Sequence, residues 1–127
     1  MNIYETETPW AGNTAPPDSF GYLRISVAAA LRALPLMNAQ VSVYSDERER
    51  AQDLLAVLTT NESGLTEQIS LPAPLLGNSL TPDQVNPYNL FYVRIVAADY
   101  VTRDRIPVQI FPGIISDLVV NMQPPIR

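Results

Sequence analysis

Apolar and polar residues alternate most regularly in the last third of the chain. An alternation with a period of two is typical of a half-buried β-strand. A proline and a glycine, Pro112 and Gly113, separate the last two of these runs and are typical of a turn. The runs cover residues 90–97, 105–110 and 115–122. Their close succession predicts an antiparallel meander whose apolar phase faces the core.

Four further runs upstream predict four more strands, and the first two of them carry the same alternation. They cover residues 20–28, 39–44, 54–60 and 65–71. Residues 28–33 contain good helix formers, but six residues followed by Pro35 are too few for a stable helix, so we expect a loop or a strand extension there. Short strands separated by turns, with no helical period, predict two stacked sheets. The predicted fold is therefore an all-β, seven-stranded antiparallel sandwich.

Residues 1–19 form a segment of a different kind, rich in Pro, Thr, Glu and Asn. This composition predicts an extended N-terminal arm in front of a sandwich domain at residues 20–127. The arm nevertheless contains Ile3, Tyr4 and Trp10, and Trp10 is the one Trp of the chain. We expect these three side chains to anchor the arm, either on its own domain or on a neighbouring copy.

The composition excludes several functions. The chain contains no His and no Cys, so it lacks the commonest general base, the commonest transition-metal ligand and any thiol chemistry. We expect no catalytic residues, no metal and no cofactor. The net charge is −5 and the eight basic residues are scattered arginines, which argues against nucleic acid as a partner. The longest apolar run, residues 27–37, is interrupted by Arg32 and Pro35 and is too short to cross a membrane.

Two groups of carboxylates are candidate sites. Four acidic residues between positions 46 and 53 offer oxygen ligands for calcium, but they lack calcium-loop spacing and alternate with arginines, which favours a solvated connection. These residues are Asp46, Glu47, Glu49 and Asp53. Asp99 and Asp104 resemble the carboxylate pair of a glycosidase, yet turn formation and pairing with arginine explain them as simply. We therefore predict that neither group is a site.

Three tyrosines, Tyr22, Tyr44 and Tyr92, fall on the polar phase of their strands. On that phase a sugar or a partner protein could stack on their rings. Ordinary packing between neighbouring strands on a solvent-facing surface is the alternative, and we favour it.

Several short segments, taken in order, resemble the transthyretin-like (prealbumin-like), carboxypeptidase regulatory-like β-sandwich domains. The form that they resemble most is found in clostridial spore cortex-lytic and peptidoglycan-binding proteins. The matching segments are Gly21-Tyr22-Leu23-Arg24-Ile25, residues 34–43 and 60–64, Leu71-Pro72-Ala73-Pro74, Pro87-Tyr88, Ala97-Ala98-Asp99-Tyr100 and residues 108–113. Asp99 stands where the family usually has Gly, so we expect a left-handed bend at Asp99.

Together these observations predict a non-enzymatic structural module of a spore or cell surface. We expect a homo-oligomer that associates through its N-terminal arm into a fibre or a ring. The alternative, implied by the resemblance, is an accessory module that binds peptidoglycan through the three tyrosines or positions a cell-wall hydrolase. The first ten residues do not resemble a signal peptide, so we expect synthesis in the cytoplasm and another route to the surface.

Overall fold

The computed structural model describes residues 19–74 and 88–125. Within these ranges the protein is all-β, as predicted, with eight strands and one short 3-10 helix at Ala51–Asp53. The strands are β1 (Phe20–Ala29), β2 (Leu34–Pro35), β3 (Gln40–Tyr44), β4 (Leu54–Thr59), β5 (Ile69–Pro72), β6 (Asn89–Val96), β7 (Arg103–Ile110) and β8 (Ile115–Met122).

The strands form two four-stranded sheets. In the first sheet β1 is central, with β8 parallel along one side and, on the other side, β5 at its start and β2 at its end. A single bridge between Ser26 and Leu65 lies between β5 and β2. The second sheet has the order β4-β3-β6-β7 and is antiparallel throughout.

The core lies between the two sheets and is built from alternate residues of the strands. The apolar phase predicted for each long strand faces inward, which confirms the period-two reading. Fully buried members are Leu23, Ile25, Val27, Val41, Val43, Val93, Ile95, Ile110 and Met122. The core therefore depends on both sheets. β1, the central strand of the first sheet, and β6, an inner strand of the second, both contribute fully buried side chains.

The predicted meander is wrong for its last strand. β6 and β7 are antiparallel neighbours, but β8 leaves their sheet and pairs in parallel with β1, from Tyr22 opposite Ile115 to Ala29 opposite Met122. The turn before β8 directs this change, because the N–H of Gly113 donates to the carbonyl of Phe20 at 2.8 Å and the N–H of Tyr22 donates to the carbonyl of Ile114 at 2.9 Å.

Two other expectations are corrected. The run at residues 65–71 is a strand only from Ile69, because Leu65 makes one isolated bridge. The seven predicted strands become eight because the two residues of β2 pair with the end of β1. Between β1 and β2 residues 30–33 form a turn, as the expectation of a loop indicated.

A buried hydroxyl joins the start of β3 to the end of β4. Thr60 is 2% exposed, and its Oγ1 accepts from the N–H of Ala39 at 2.9 Å and donates to the carbonyl of Leu36 at 2.6 Å. An isosteric apolar replacement leaves both backbone groups buried without this partner.

We therefore expect Thr60→Val to lower the free energy of unfolding by about 1–3 kcal/mol, the cost of leaving a buried polar group unsatisfied. Urea unfolding followed by circular dichroism measures the change. Thr59→Val, at the exposed neighbouring position, is the matched control and should change the stability little. Equal effects of the two substitutions would contradict the role of the Thr60 hydroxyl.

Candidate functional site

The three tyrosines predicted as a contact surface do not lie together. Tyr22 is on β1 of the first sheet, whereas Tyr44 and Tyr92 are register partners in the second. Tyr22 and Tyr92 are half-buried, and Tyr44 is only 7% exposed, so its predicted exposure is wrong. The cause is the connection after β3.

That connection folds over the outer face of the second sheet. The Glu49 carboxylate Oε2 accepts from the backbone N–H of Arg105 on β7 at 2.8 Å, although β6 separates β3 from β7 in the sheet order. Because Tyr44 and Tyr92 lie in the strands that this link spans, the connection limits access to their rings. Tyr22, Tyr44 and Tyr92 therefore do not form one shared surface.

Three of the four acidic residues of this connection, Asp46, Glu49 and Asp53, are engaged by arginines or by the backbone. Arg48 Nε and Asp46 Oδ1 are 2.9 Å apart, and Arg50 Nε and Asp53 Oδ2 are also 2.9 Å apart. Hydrogen bonds from the side chain and backbone of Arg48 hold the pKa of Asp46 well below its ordinary value. Among the described residues no group of three or more acidic, His or Cys side chains is placed to hold a metal ion.

The second pair of carboxylates, Asp99 and Asp104, lies at and after the β6–β7 connection. Asp99 has a φ of 70°, which confirms the left-handed bend expected there. Asp104 Oδ2 lies 3.9 Å from Nη1 of its neighbour Arg105. Both carboxylates are in exposed residues, where solvent screens their charges.

One end of the sandwich contains an apolar pocket of about 280 Å³, which we call the end pocket. It lies where β1, β2 and β8 meet the β6–β7 connection. Its lining residues are Ala29, Ala30, Leu31, Leu34, Tyr100, Asn121, Met122, Gln123 and Pro124. Pockets for drug-sized ligands usually measure about 300–1,000 Å³, so the end pocket suits one or two apolar side chains.

One wall of the end pocket is a turn held in an unusual conformation. Ala30, Leu31 and Arg32 have φ values of 53°, 55° and 76°, and left-handed backbone costs a residue other than Gly about 1–2 kcal/mol. The N–H of Arg32 donates to Oδ1 of Asn121 at 3.2 Å, which fixes the turn to the end of β8. Leu31 is 87% exposed. Such strain is found most often where a protein binds something.

Two arginines adjoin the lining of the end pocket, and we call them the rim arginines. Arg32 directly follows the lining residue Leu31, and Nη1 of Arg103 donates to the carbonyl of the lining residue Asn121 at 3.2 Å. Both are exposed, and neither forms an ion pair with a carboxylate among residues 19–74 and 88–125. The end pocket therefore has a mostly apolar lining with two arginines next to it in the structure.

A second candidate is the outer edge of the second sheet. β4 is an edge strand of six residues without charge or proline, and Leu54, Leu55 and Val57 are 41%, 48% and 52% exposed. Proteins usually protect such edges with charges, prolines or covering segments.

The other two long edge strands, β7 and β8, carry that protection. β7 contains Arg103, Asp104, Arg105 and Pro107. β8 contains Asp117, and its end is covered where the N–H of Val101 donates to the carbonyl of Gln123 at 2.8 Å. Among the long edge strands that the structure describes, β4 alone has no charged residue, proline or covering segment.

The end pocket was not expected from the sequence. The one local signal was Arg32, which interrupts an apolar run at residues 27–37. The predicted assembly residues Ile3, Tyr4 and Trp10 lie outside the described residues, so their role stays a prediction.

Comparisons with known proteins support the fold. No protein-family model matches the chain, and no curated protein matches it by sequence. Solved structures do match. The Bacillus anthracis TIE protein aligns with a TM-score of 0.56 and 16% identity over 84% of this chain and 17% of its own. A minor pilin of Streptococcus agalactiae aligns with a TM-score of 0.52 and 13% identity over 86% of this chain and 46% of its own. Catechol 1,2-dioxygenase from Acinetobacter sp. aligns with a TM-score of 0.58 and 12% identity over 90% of this chain and 55% of its own.

These likenesses support the fold class of the protein, an all-β sandwich. The chain spans between 17% and 55% of the three proteins. At identities this low the match concerns the fold alone. In the part of the chain that the structure describes, no helix is long and apolar enough to cross a membrane.

Proposed function

We propose that the protein is a non-enzymatic structural module of a cell or spore surface that associates with copies of itself. The observation that carries this proposal is the unprotected β4 edge. An edge strand with free backbone groups and exposed apolar side chains is a template for another strand. One of the structural matches is described as a minor pilin, which agrees with a structural role.

At the β4 edge the partner is a second copy of this chain. Antiparallel pairing of two β4 strands joins the two second sheets into one and covers Leu55 and Val57 of both copies. Such a contact is isologous and closes as a dimer. The N-terminal arm, with Ile3, Tyr4 and Trp10, is proposed as the separate contact that extends dimers into a fibre or a ring.

A charge on the edge tests this proposal. Val57→Lys places an ammonium in the paired edge and removes an apolar contact worth about 1.5–3 kcal/mol, so we expect association to weaken about tenfold or more. Light scattering over a concentration series measures the change.

Val96→Lys is the matched control, because Val96 is 41% exposed but lies on β6, inside the same sheet. A wild type that is monomeric at high concentration contradicts the proposal. Equal effects of the two substitutions contradict the role of the edge.

The accessory role in peptidoglycan binding or hydrolase positioning gains no support from the tyrosines. Tyr22 and Tyr92 are on different sheets and Tyr44 is buried. We also propose that the chain is not an enzyme, because it contains no His or Cys to activate a nucleophile or bind a catalytic metal. Turnover of peptidoglycan by the purified protein contradicts this part of the proposal.

A further inference from the structure

The chemistry of the end pocket defines what fits it. Its lining is mostly apolar, and the rim arginines Arg32 and Arg103, which adjoin the lining residues Leu31 and Asn121, have no described carboxylate partner. In a chain with a net charge of −5, two such arginines beside one pocket favour an occupant that joins an apolar side chain to carboxylates.

The chain itself contains such a segment. Eighteen residues precede the described part of the structure, and they contain three acidic residues and no basic side chain. Ile3, Glu5 and Glu7 follow one another at intervals of two, so in an extended segment all three side chains point to the same side. An apolar group is thus followed by two carboxylates about 7 Å apart.

The positions of the arm and the end pocket favour contact between copies. The arm joins the start of β1, where the carbonyl of Ser19 accepts from the N–H of Ala73 at 3.1 Å. The end pocket begins at Ala29, at the other end of this ten-residue strand, about 33 Å away. The arm therefore leaves one end of the sandwich while the pocket opens at the opposite end, which is the geometry of a head-to-tail chain.

We propose that the end pocket receives the N-terminal arm of a second copy, with Ile3 in the apolar interior and Glu5 and Glu7 facing the rim arginines. This inference rests on the proposed self-association and names its second contact. The strained turn at residues 30–32 then serves to hold the apolar wall and Arg32 in place for the incoming arm.

Charge reversal in the full chain tests the pairing. One variant carries Glu5→Arg and Glu7→Arg, and the other carries Arg32→Glu and Arg103→Glu. In each variant alone the arm and the pocket repel, so we expect head-to-tail association to weaken about tenfold. In an equimolar mixture each arm meets a pocket of opposite charge, and we expect association to return. The chain with all four substitutions should also associate.

Two readouts follow the contact. Light scattering reports the mass, and the fluorescence of Trp10, the one Trp in the chain, reports burial of the arm near Glu7. We expect a blue shift on association in the wild type and in the mixture, and none in either variant alone. Association through the rim should also weaken as salt rises from about 50 to about 500 mM.

Controls separate this inference from the proposed function. Arg94→Glu makes the same charge change at the third arginine without a described carboxylate partner, on β6 beside Ile95, the register partner of Arg103. Because Arg94 does not line the pocket, this variant should change association less than either reversed variant. If a reversed variant fails to unfold cooperatively, Arg32→Gln with Arg103→Gln replaces it and should weaken association several-fold.

If association responds to Val57→Lys but not to charge reversal, the structural module stands and the pocket inference falls. If the mixture does not regain association, the arm does not dock on a neighbouring copy and the inference is overturned.

Discussion

Replacing Gly21 by alanine should lower the free energy of unfolding by about 2–3 kcal/mol, a cost typical of inserting an atom into a packed site. A Cβ at this position would lie 2.3 Å from the carbonyl oxygen of Phe111 and 2.5 Å from Cγ2 of Ile110. The oxygen belongs to backbone that is fixed where β7 ends and the chain turns towards β8. To relieve the clash of the added Cβ, that turn would have to shift relative to β1. Movement of one side chain is not enough.

Gly113→Ala is the matched control for this prediction. Gly113 has a φ of 73°, but an added Cβ there would meet nothing within 4 Å, so the expected cost is about 1 kcal/mol of left-handed backbone. Urea unfolding of both variants separates close packing from conformational strain. A smaller loss at Gly21 than at Gly113 would contradict the close approach of β1 to the turn.

Strand positions and inward faces could be predicted because they depend on a local property, the period of two. β6, for example, has Phe91, Val93 and Ile95 buried and Arg94 exposed, as the pattern indicated. The pattern does not specify which neighbour a strand pairs with. β8 carries the same alternation as β7, and its assignment to the far edge of β1 depends on backbone hydrogen bonds of Gly113 and Ile114, which no periodicity encodes.

The candidate site could not be predicted for a related reason. The end pocket is formed by residues 29–31, 34, 100 and 121–124, which are distant in sequence. Its wall depends on three consecutive left-handed residues, and Ala, Leu and Arg carry no local signal for that conformation. Asp99 is the contrasting case, because a family pattern with Gly at that position indicated its left-handed φ. The apolar run that forms β4 could be seen in the sequence, but its position at the edge of a sheet could not be predicted from it.

The largest loss of stability is expected from Ile25→Ala. Ile25 is fully buried in the middle of β1, and removing three carbons from such a site costs about 2–5 kcal/mol, more where the cavity cannot collapse. Collapse is restricted here because both backbone groups of Ile25 are bonded to Thr66. Its N–H donates to Thr66 Oγ1 at 3.1 Å, and its carbonyl accepts from the Thr66 N–H at 2.9 Å. We therefore expect Ile25→Ala to lower the free energy of unfolding by about 4 kcal/mol, measured by denaturant unfolding.

Val119→Ala is the control. Val119 lies on the neighbouring strand and is 44% exposed, so its replacement should lower the free energy of unfolding by no more than about 0.5 kcal/mol. A loss below about 2 kcal/mol for Ile25→Ala would show that β1 moves into the space, and that the Thr66 bonds do not hold it.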